Sequence, residues 1–199
     1  MEHTRVVLIR HAQSESNAAA ICECRGDSPL TARGKGQAAR LARRLESQFP
    51  TASALYSSPL GRARQTAEII GRRLKLPVER LGDLREIHVG RWEGLPLSEV
   101  DLMPLHENAD FTFHGGESPR QFSTRAAQAV RQLVEDHPGE TVLAVGHGTV
   151  LAGAIAFLLG KEPLFGNPYT MKNGGAAVLA FGPFPKLCTI DRVRLPQRT

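Results

Sequence analysis

The chain begins with a short apolar run, Val6-Val7-Leu8-Ile9, set between polar residues. Four consecutive, largely β-branched residues without alternation predict a strand buried on both faces. Residues 141–145 predict another buried strand, residues 54–57 a second strand, and residues 77–81 a shorter one. Between these runs the apolar positions recur at helical spacing. Ala38, Leu41, Ala42, Leu45 and Phe49 follow Thr31; Ala63, Ala67, Ile70 and Leu74 follow Ser58-Pro59; Phe122, Ala126, Ala129, Val130, Leu133 and Val134 follow Ser118-Pro119. Thr31, Ser58 and Ser118 are expected N-caps, the last two with proline at the first helical position. Residues 149–159 predict a further helix. Residues 176–181 and 187–195 predict closing strands, joined by Gly182-Pro183-Phe184-Pro185. Residues 12–30 read as a polar loop, and residues 82–116 as an irregular, Gly- and charge-rich stretch. Strands alternating with helices argue an α/β fold around a largely parallel sheet.

Composition narrows the classes without changing that picture. A chain of 199 residues, 41% hydrophobic and 23% charged, is expected to form one domain that needs no disulfide or metal to hold its core. The longest nearly uncharged apolar stretch, residues 149–160, falls short of the roughly 20 residues that span a bilayer. No membrane association is expected. The first apolar run is only four residues long before Arg10 and His11, which is no secretory leader, so a cytoplasmic location is expected. The net charge is +5, and 20 of the 25 basic residues are arginine. Most lie in helical patterns, such as Arg40, Arg43, Arg44, Arg72, Arg73 and Arg131, and read as solvated faces rather than as a nucleic-acid surface. Cys22, Cys24 and Cys188 lack metal or redox spacing and are expected as free thiols, with no metal and no cofactor.

Candidate chemistry gathers where strands end, since ligands of open α/β sheets bind outside the carboxyl edge. His11 directly follows the first strand and His147 follows the strand 141–145. Arg10 adjoins His11, and Arg62 lies one turn into the helix after residues 54–57. A guanidinium fork binds phosphate oxygens bidentately, and helix N-termini add to that attraction. Neutral imidazole is a competent nucleophile toward phosphorus, and flanking cations disfavour the imidazolium. A second histidine can donate to the phosphoryl oxygens as charge shifts in the transition state. Either histidine alone is most simply a structural residue; the joint pattern points to phosphoryl chemistry on a small phosphorylated metabolite.

The segment Leu8-Ile9-Arg10-His11-Ala12-Gln13-Ser14-Glu15-Ser16-Asn17 resembles the signature of the histidine phosphatase superfamily, in its phosphoglycerate mutase-like branch. Further blocks resemble that family in the same order. They are Asp27-Ser28-Pro29-Leu30-Thr31 with Gly34, Gln37 and Ala38; residues 57–67 around Arg62; Leu84-Arg85-Glu86-Ile87 with Gly90, Trp92, Glu93 and Gly94; Gly115-Gly116-Glu117-Ser118; and Val145-Gly146-His147-Gly148. The resemblance implies a three-layer α/β/α sandwich with a lid-like insertion at about residues 94–116. It implies that His11 is the nucleophile that becomes phosphohistidine. Arg10, Asn17, Arg62 and His147 would complete the phosphate pocket, and Glu86 would be the acid that protonates the leaving alcohol. Glu15, Glu93 and Glu117 are rivals for that last role. Trp92 and Glu93 are expected to support the Glu86 loop, and Thr31, Gly34 and Gln37 to cap and pack a helix. Two positions depart from the commonest pattern: Ala12 and Gln13 stand where the family usually carries Gly and Glu. A negative φ is expected at residue 12, where alanine then fits, and Gln13 removes one negative charge near the pocket.

What attacks the phosphoenzyme decides the activity. The cofactor-dependent mutases of the family tend to carry an insertion after the acid. Here 28 residues separate Glu86 from Gly115, and Arg91 is their only cation, which favours water as acceptor and hence a phosphatase. The insertion supplies Leu95, Leu97, Leu102, Met103, Leu105, Phe111 and Phe113 with His106 and His114, either as walls for the leaving group or as lid packing. The alternatives are an α-ribazole phosphatase specifically, a bisphosphoglycerate-dependent mutase, or a non-catalytic module binding phosphorylated partners. A metallohydrolase lacks any closely spaced ligand set. Association into a homo-oligomer is left open.

Overall fold

The computed structural model describes residues 3–112, 115–182 and 185–190. Its centre is β1 (Thr4–Arg10), in which Val6, Val7, Leu8 and Ile9 are completely buried, as their uninterrupted apolar run requires. β1 pairs in parallel with β4 (Thr141–Gly146), β4 with β2 (Ala54–Ser57), and β2 with β3 (Glu79–Arg80). On the other side β1 pairs antiparallel with β5 (Ala176–Phe181), and β5 antiparallel with β6 (Pro185–Ile190). The six strands stand in the order β3-β2-β4-β1-β5-β6. The expected largely parallel sheet is thus present.

Alternate residues of the central strands feed two separate cores, because successive side chains point to opposite faces. Val7, Ile9, Leu55, Leu143 and Val145 pack against Leu41 and Leu45 of α2 (Ala32–Gln48) and Ala63, Ala67 and Ile70 of α3 (Gly61–Leu74). Val6, Leu8, Val142 and Ala144 pack against Phe122, Ala126 and Val130 of α5 (Pro119–Asp136) and Val150, Leu151 and Ile155 of α6 (Gly148–Leu158). Helices therefore cover both faces, giving the three-layer sandwich. α6 is apolar nearly all round because it is buried, and no described helix is long and apolar enough to cross a membrane.

Several boundaries differ from the sequence expectation. A one-turn helix, α1 (Glu15–Ala18), interrupts the expected loop, capped by Ser14. The strand expected at 77–81 shrinks to two exposed residues at the sheet edge. Ser58 does not cap α3. That helix starts three residues later, and its first free N–H, on Gly61, donates to the carboxylate of Asp27. The irregular stretch holds three single 3-10 turns and the five-residue α4 (Met103–Glu107). Of the strand expected at 187–195, residues beyond 190 lie outside the described residues, as do Phe113, His114, Pro183 and Phe184. Ser118 and Thr31 cap their helices as expected, Ser118 within a capping box closed by Gln121.

The turn after β1 is held from behind by α2. Thr31 N–H donates to the Gln13 carbonyl (3.1 Å), and Gln13 N–H donates to Gln37 Oε1 (2.9 Å). A Cβ on Gly34 would collide with the Gln13 carbonyl oxygen, so only glycine lets α2 approach this closely. Gly34→Ala gains about 1 kcal/mol of helix propensity, but overpacking costs about 1–3 kcal/mol. The expected result in urea unfolding is a net loss of stability. A variant as stable as wild type would show that the approach is not tight.

Candidate active site

The carboxyl ends of β1 and β4 lie side by side, with Arg10 paired to Gly146, so His11 and His147 leave the sheet together. Their rings stand edge-to-face with centroids 5.1 Å apart. His11 Nδ1 lies 2.7 Å from the Ala12 carbonyl, which can only accept; Nδ1 therefore carries the proton and Nε2 the lone pair. His147 shows the opposite arrangement. Its Nε2 lies 2.8 Å from Ser58 Oγ, and its buried Nδ1 has no partner among the described residues. Ser58 Oγ also accepts the Leu60 N–H (3.3 Å); with its own proton given to Nε2, the ring's N–H stands on Nδ1, facing away from Ser58. Burial first, then the Arg62 and Arg10 charges, hold the His11 pKa down at about 3 against an ordinary 6.5. Burial also drives His147 well below its ordinary value, reinforced by His11, Arg62, Arg10 and Arg25. Both rings are neutral at pH 7.

The two arginines are fixed differently. Arg10 Nη1 donates to the Met171 carbonyl (2.6 Å), and a Cβ on Gly148 would press on its guanidinium at 3.0–3.2 Å, so the glycine opening α6 makes its room. Arg62 is 2% exposed and is clamped by the loop 23–26. Its Nη1 donates to Glu23 Oε2 (3.1 Å) and the Gly26 carbonyl (2.8 Å). Its Nη2 donates to the carbonyls of Glu23 (3.2 Å) and Cys24 (3.1 Å). The expected free fork is therefore turned onto the protein, and of the five N–H groups Nε–H is the one these bonds leave over. Glu93 braces that same loop, its carboxylate accepting the N–H groups of Cys24, Arg25 and Gly26 at 2.9–3.2 Å. Its support thus goes to the Arg62 loop rather than to the Glu86 loop.

Glu86 is buried against the start of α6. Oε1 accepts from Ile87 (3.0 Å) and Val150 (3.1 Å) N–H, and Oε2 from Thr149 N–H (3.3 Å). Asn17 is the third residue of α1; its Oδ1 accepts from Ser14 N–H and from Asn173 Nδ2 (2.9 Å), leaving its own NH2 as a donor. Asn173 also donates to the His11 carbonyl (3.2 Å). Two of the rival carboxylates are engaged elsewhere: Glu93 holds the loop 24–26, and Glu117 joins Arg25 and Arg125, which with the His88 N–H hold its pKa below the usual carboxylate value against the opposing effect of burial. Glu15 is exposed on α1. Ala12 has no positive φ, as expected, and its N–H donates to Thr66 Oγ1. Gln13 turns toward the α2 cap, where its Oε1 accepts from Thr31 Oγ1 (3.0 Å).

A cavity of about 160 Å³ opens beside Arg10 and Glu86. Phe122, Leu164 and Phe165 form its apolar wall; Thr149, Asn167 and Thr170 add polar groups, and Arg10 is the one cation among its described lining residues. None of the described residues of the insertion lines it. Leu105 is buried behind it, the Leu105 carbonyl accepts the Phe165 N–H, and the His106 ring packs on Phe165. Lid packing is thus the observed role of Leu105 and His106, while Leu97 and Met103 are exposed.

Ser58, Glu23, Asn173 and the segment 164–170 are the site residues that sequence reasoning missed. Asn173 and its neighbours precede β5, which runs antiparallel, so the start of that strand lies at the edge where the parallel strands end. The pattern Asn173-Gly174-Gly175 before an apolar run was the available signal.

Comparison with known proteins shows what the chain resembles. Residues 6–188 match the model of the histidine phosphatase superfamily (branch 1). The chain is 32% identical over 191 residues to a glucosyl-3-phosphoglycerate phosphatase of Mycobacterium tuberculosis, covering 89% of this chain and 84% of that protein. It is 37% identical over 160 residues to a metal-independent phosphoserine phosphatase of Arabidopsis thaliana, covering 75% and 66%. It superposes with a TM-score of 0.86 on a phosphoserine phosphatase mutant from Entamoeba histolytica bound to phosphoserine, at 27% identity, covering 96% of this chain and 98% of that one.

The depressed His11 pKa makes a stability prediction with a definite sign. Between the unfolded value of 6.5 and the folded value of about 3, the unfolded chain binds a proton at His11 that the folded chain does not. Stability is therefore full above the unfolded value and falls as pH drops, by about 1.4 kcal/mol per pH unit. The loss of stability of wild type between pH 6 and pH 4 should be steeper than that of His11→Asn. Equal slopes would mean that His11 is not held neutral.

Proposed function

The chain belongs to the histidine phosphatase superfamily, branch 1, and is a metal-independent phosphomonoester hydrolase of small phosphorylated metabolites; we propose that it works through a phosphohistidine formed on His11. The observation that carries this reading is the His11 ring itself: buried, neutral, and pinned by the Ala12 carbonyl so that Nε2 carries a lone pair. A phosphoryl dianion is drawn to this point by Arg10, by the Arg62 charge and its Nε–H, by His147 Nδ1–H, by the Asn17 NH2 and by the N-terminus of α6. Nε2 attacks phosphorus, the ester P–O bond breaks, and Glu86 passes its proton to the departing alkoxide. The alcohol leaves through the cavity that Glu86 and Arg10 line. Water then attacks the phosphohistidine, gives its proton to the Glu86 carboxylate, and returns His11 to its neutral form. Donors that are already in place around the phosphoryl group need no reorganisation as charge shifts in the transition state.

The cavity supports the hydrolytic outcome over mutase action. A phosphoglycerate acceptor brings a carboxylate as well as its hydroxyl, whereas Arg10 is the one cation among the described lining residues and already serves the phosphoryl group. We place the preferred substrate among small monoesters of an uncharged, partly apolar alcohol. The reduced thiols of Cys22 and Cys24 suit a reducing compartment such as the cytoplasm.

With p-nitrophenyl phosphate in excess EDTA, wild type should turn over and His11→Ala should lose roughly 10³-fold or more. Residual activity of a few per cent contradicts the nucleophile assignment. Glu86→Gln should slow alkyl phosphates by roughly 10²–10⁴-fold and aryl phosphates far less, since a phenolate departs without a proton. Equal losses on both substrates remove Glu86 from the role of acid.

A further inference from the structure

The loop that clamps Arg62 carries two cysteines that hydrolysis does not use. Residues 21–22 run beside residues 94–96, and the chain bends at Cys24. Ile21 bridges Pro96, Cys22 N–H donates to the Leu95 carbonyl (2.8 Å), and Gly94 N–H donates to the Cys22 carbonyl (2.8 Å). Cys22 and Cys24 point together into the core beside Leu84, Ile87 and Phe122, and their thiols hydrogen-bond to each other. Glu23, between them, points the other way, onto Arg62 and Ser28. The Cys24 carbonyl is itself a partner of Arg62.

We infer that Cys22 and Cys24 form a modification site, a dithiol that peroxide closes to a disulfide within the loop and that thereby withdraws the support of Arg62. The step balances. The Cys22 thiolate attacks one peroxide oxygen, giving a sulfenic acid and, with a proton, one water. The Cys24 thiol then displaces the second oxygen as water, forming the S–S bond; the two thiols are oxidised and peroxide is reduced. The polarity of the pair suits this order. The hydrogen bond from Cys24 lowers the Cys22 pKa, whereas that bond and burial raise Cys24 well above its ordinary value. Even fully extended, residues two apart have Cα atoms roughly 6.6 Å apart, within the upper limit of roughly 6.8 Å for a disulfide. Closure draws the two Cα atoms together and bends the backbone further about Glu23. The atoms that the bend moves are those that hold Arg62: the Glu23 carboxylate and the carbonyls of Glu23 and Cys24. The Glu93 carboxylate holds the Cys24 N–H, so the same movement reaches that brace of the loop.

The inference rests on the proposed place of Arg62 in the phosphate cage, and its test carries a readout independent of activity. The full chain is treated with hydrogen peroxide, quenched, digested with trypsin without reductant and analysed by mass. The fragment of residues 11–25 holds both cysteines and excludes Cys188. It should become lighter by two hydrogens while hydrolysis of p-nitrophenyl phosphate falls roughly tenfold or more, and dithiothreitol should reverse both. Cys22→Ser and Cys22→Ala should keep their activity through the same treatment. A fragment that stays reduced, or a disulfide-bearing fragment with undiminished activity, overturns the inference. Activity absent before any oxidation would instead overturn the phosphatase reading, while the fragment mass still decides whether the disulfide forms.

Discussion

Everything at this site depends on keeping a bare imidazole nitrogen beside two permanent cations. A histidine in water would be partly protonated near neutral pH and useless as a nucleophile in that fraction. Burial at the end of β1 and the nearby Arg62 and Arg10 keep the ring neutral against the opposing pull of the Ala12 carbonyl, and the bond from Nδ1–H to that carbonyl leaves the lone pair on Nε2. The same cations that suppress the imidazolium attract the phosphoryl dianion. One electrostatic arrangement therefore does two tasks, and the sandwich fold supplies it by ending β1 and β4 in register beneath the first turn of α6.

Burying a guanidinium costs free energy unless its donors are satisfied. Arg10, half-buried, gives an N–H to the Met171 carbonyl. Arg62 meets it with the loop 23–26, which Glu93 and Asp27 tie to neighbouring segments. That loop is consequently a structural part of the site: the Glu23 carboxylate and the carbonyls of Glu23, Cys24 and Gly26 are what hold Arg62. Two buried thiols in the same few residues make it the point at which oxidation can reach the chemistry.

Much of this was legible in the sequence, for local reasons. His11, Arg10 and His147 adjoin strands whose apolar runs mark their ends, and α2 and α5 announce themselves by cap and period. What stayed hidden depends on contacts between distant residues. Ser58 looks like a cap because it precedes a proline; its bond to His147 spans 89 positions. The Arg62 clamp spans 36 to 39 positions, and the hold of Glu93 on residues 24–26 spans 67 to 69. The segment 164–170 has no helical or strand period, and it reaches the site only because β5 runs antiparallel to β1. The insertion was apolar enough to suggest a wall for the leaving group, yet Leu105 and His106 pack behind Phe165 instead.

The central claim is a covalent bond between phosphorus and His11 Nε2. Its most direct test is to mix the enzyme with a radiolabelled phosphomonoester, quench at early times in alkali and in acid, and map the label. The account predicts label that survives alkali, is lost in acid, and lies on the fragment of residues 11–25, as a phosphoramidate on His11 requires. Label that survives acid, or that maps to another fragment, would contradict it.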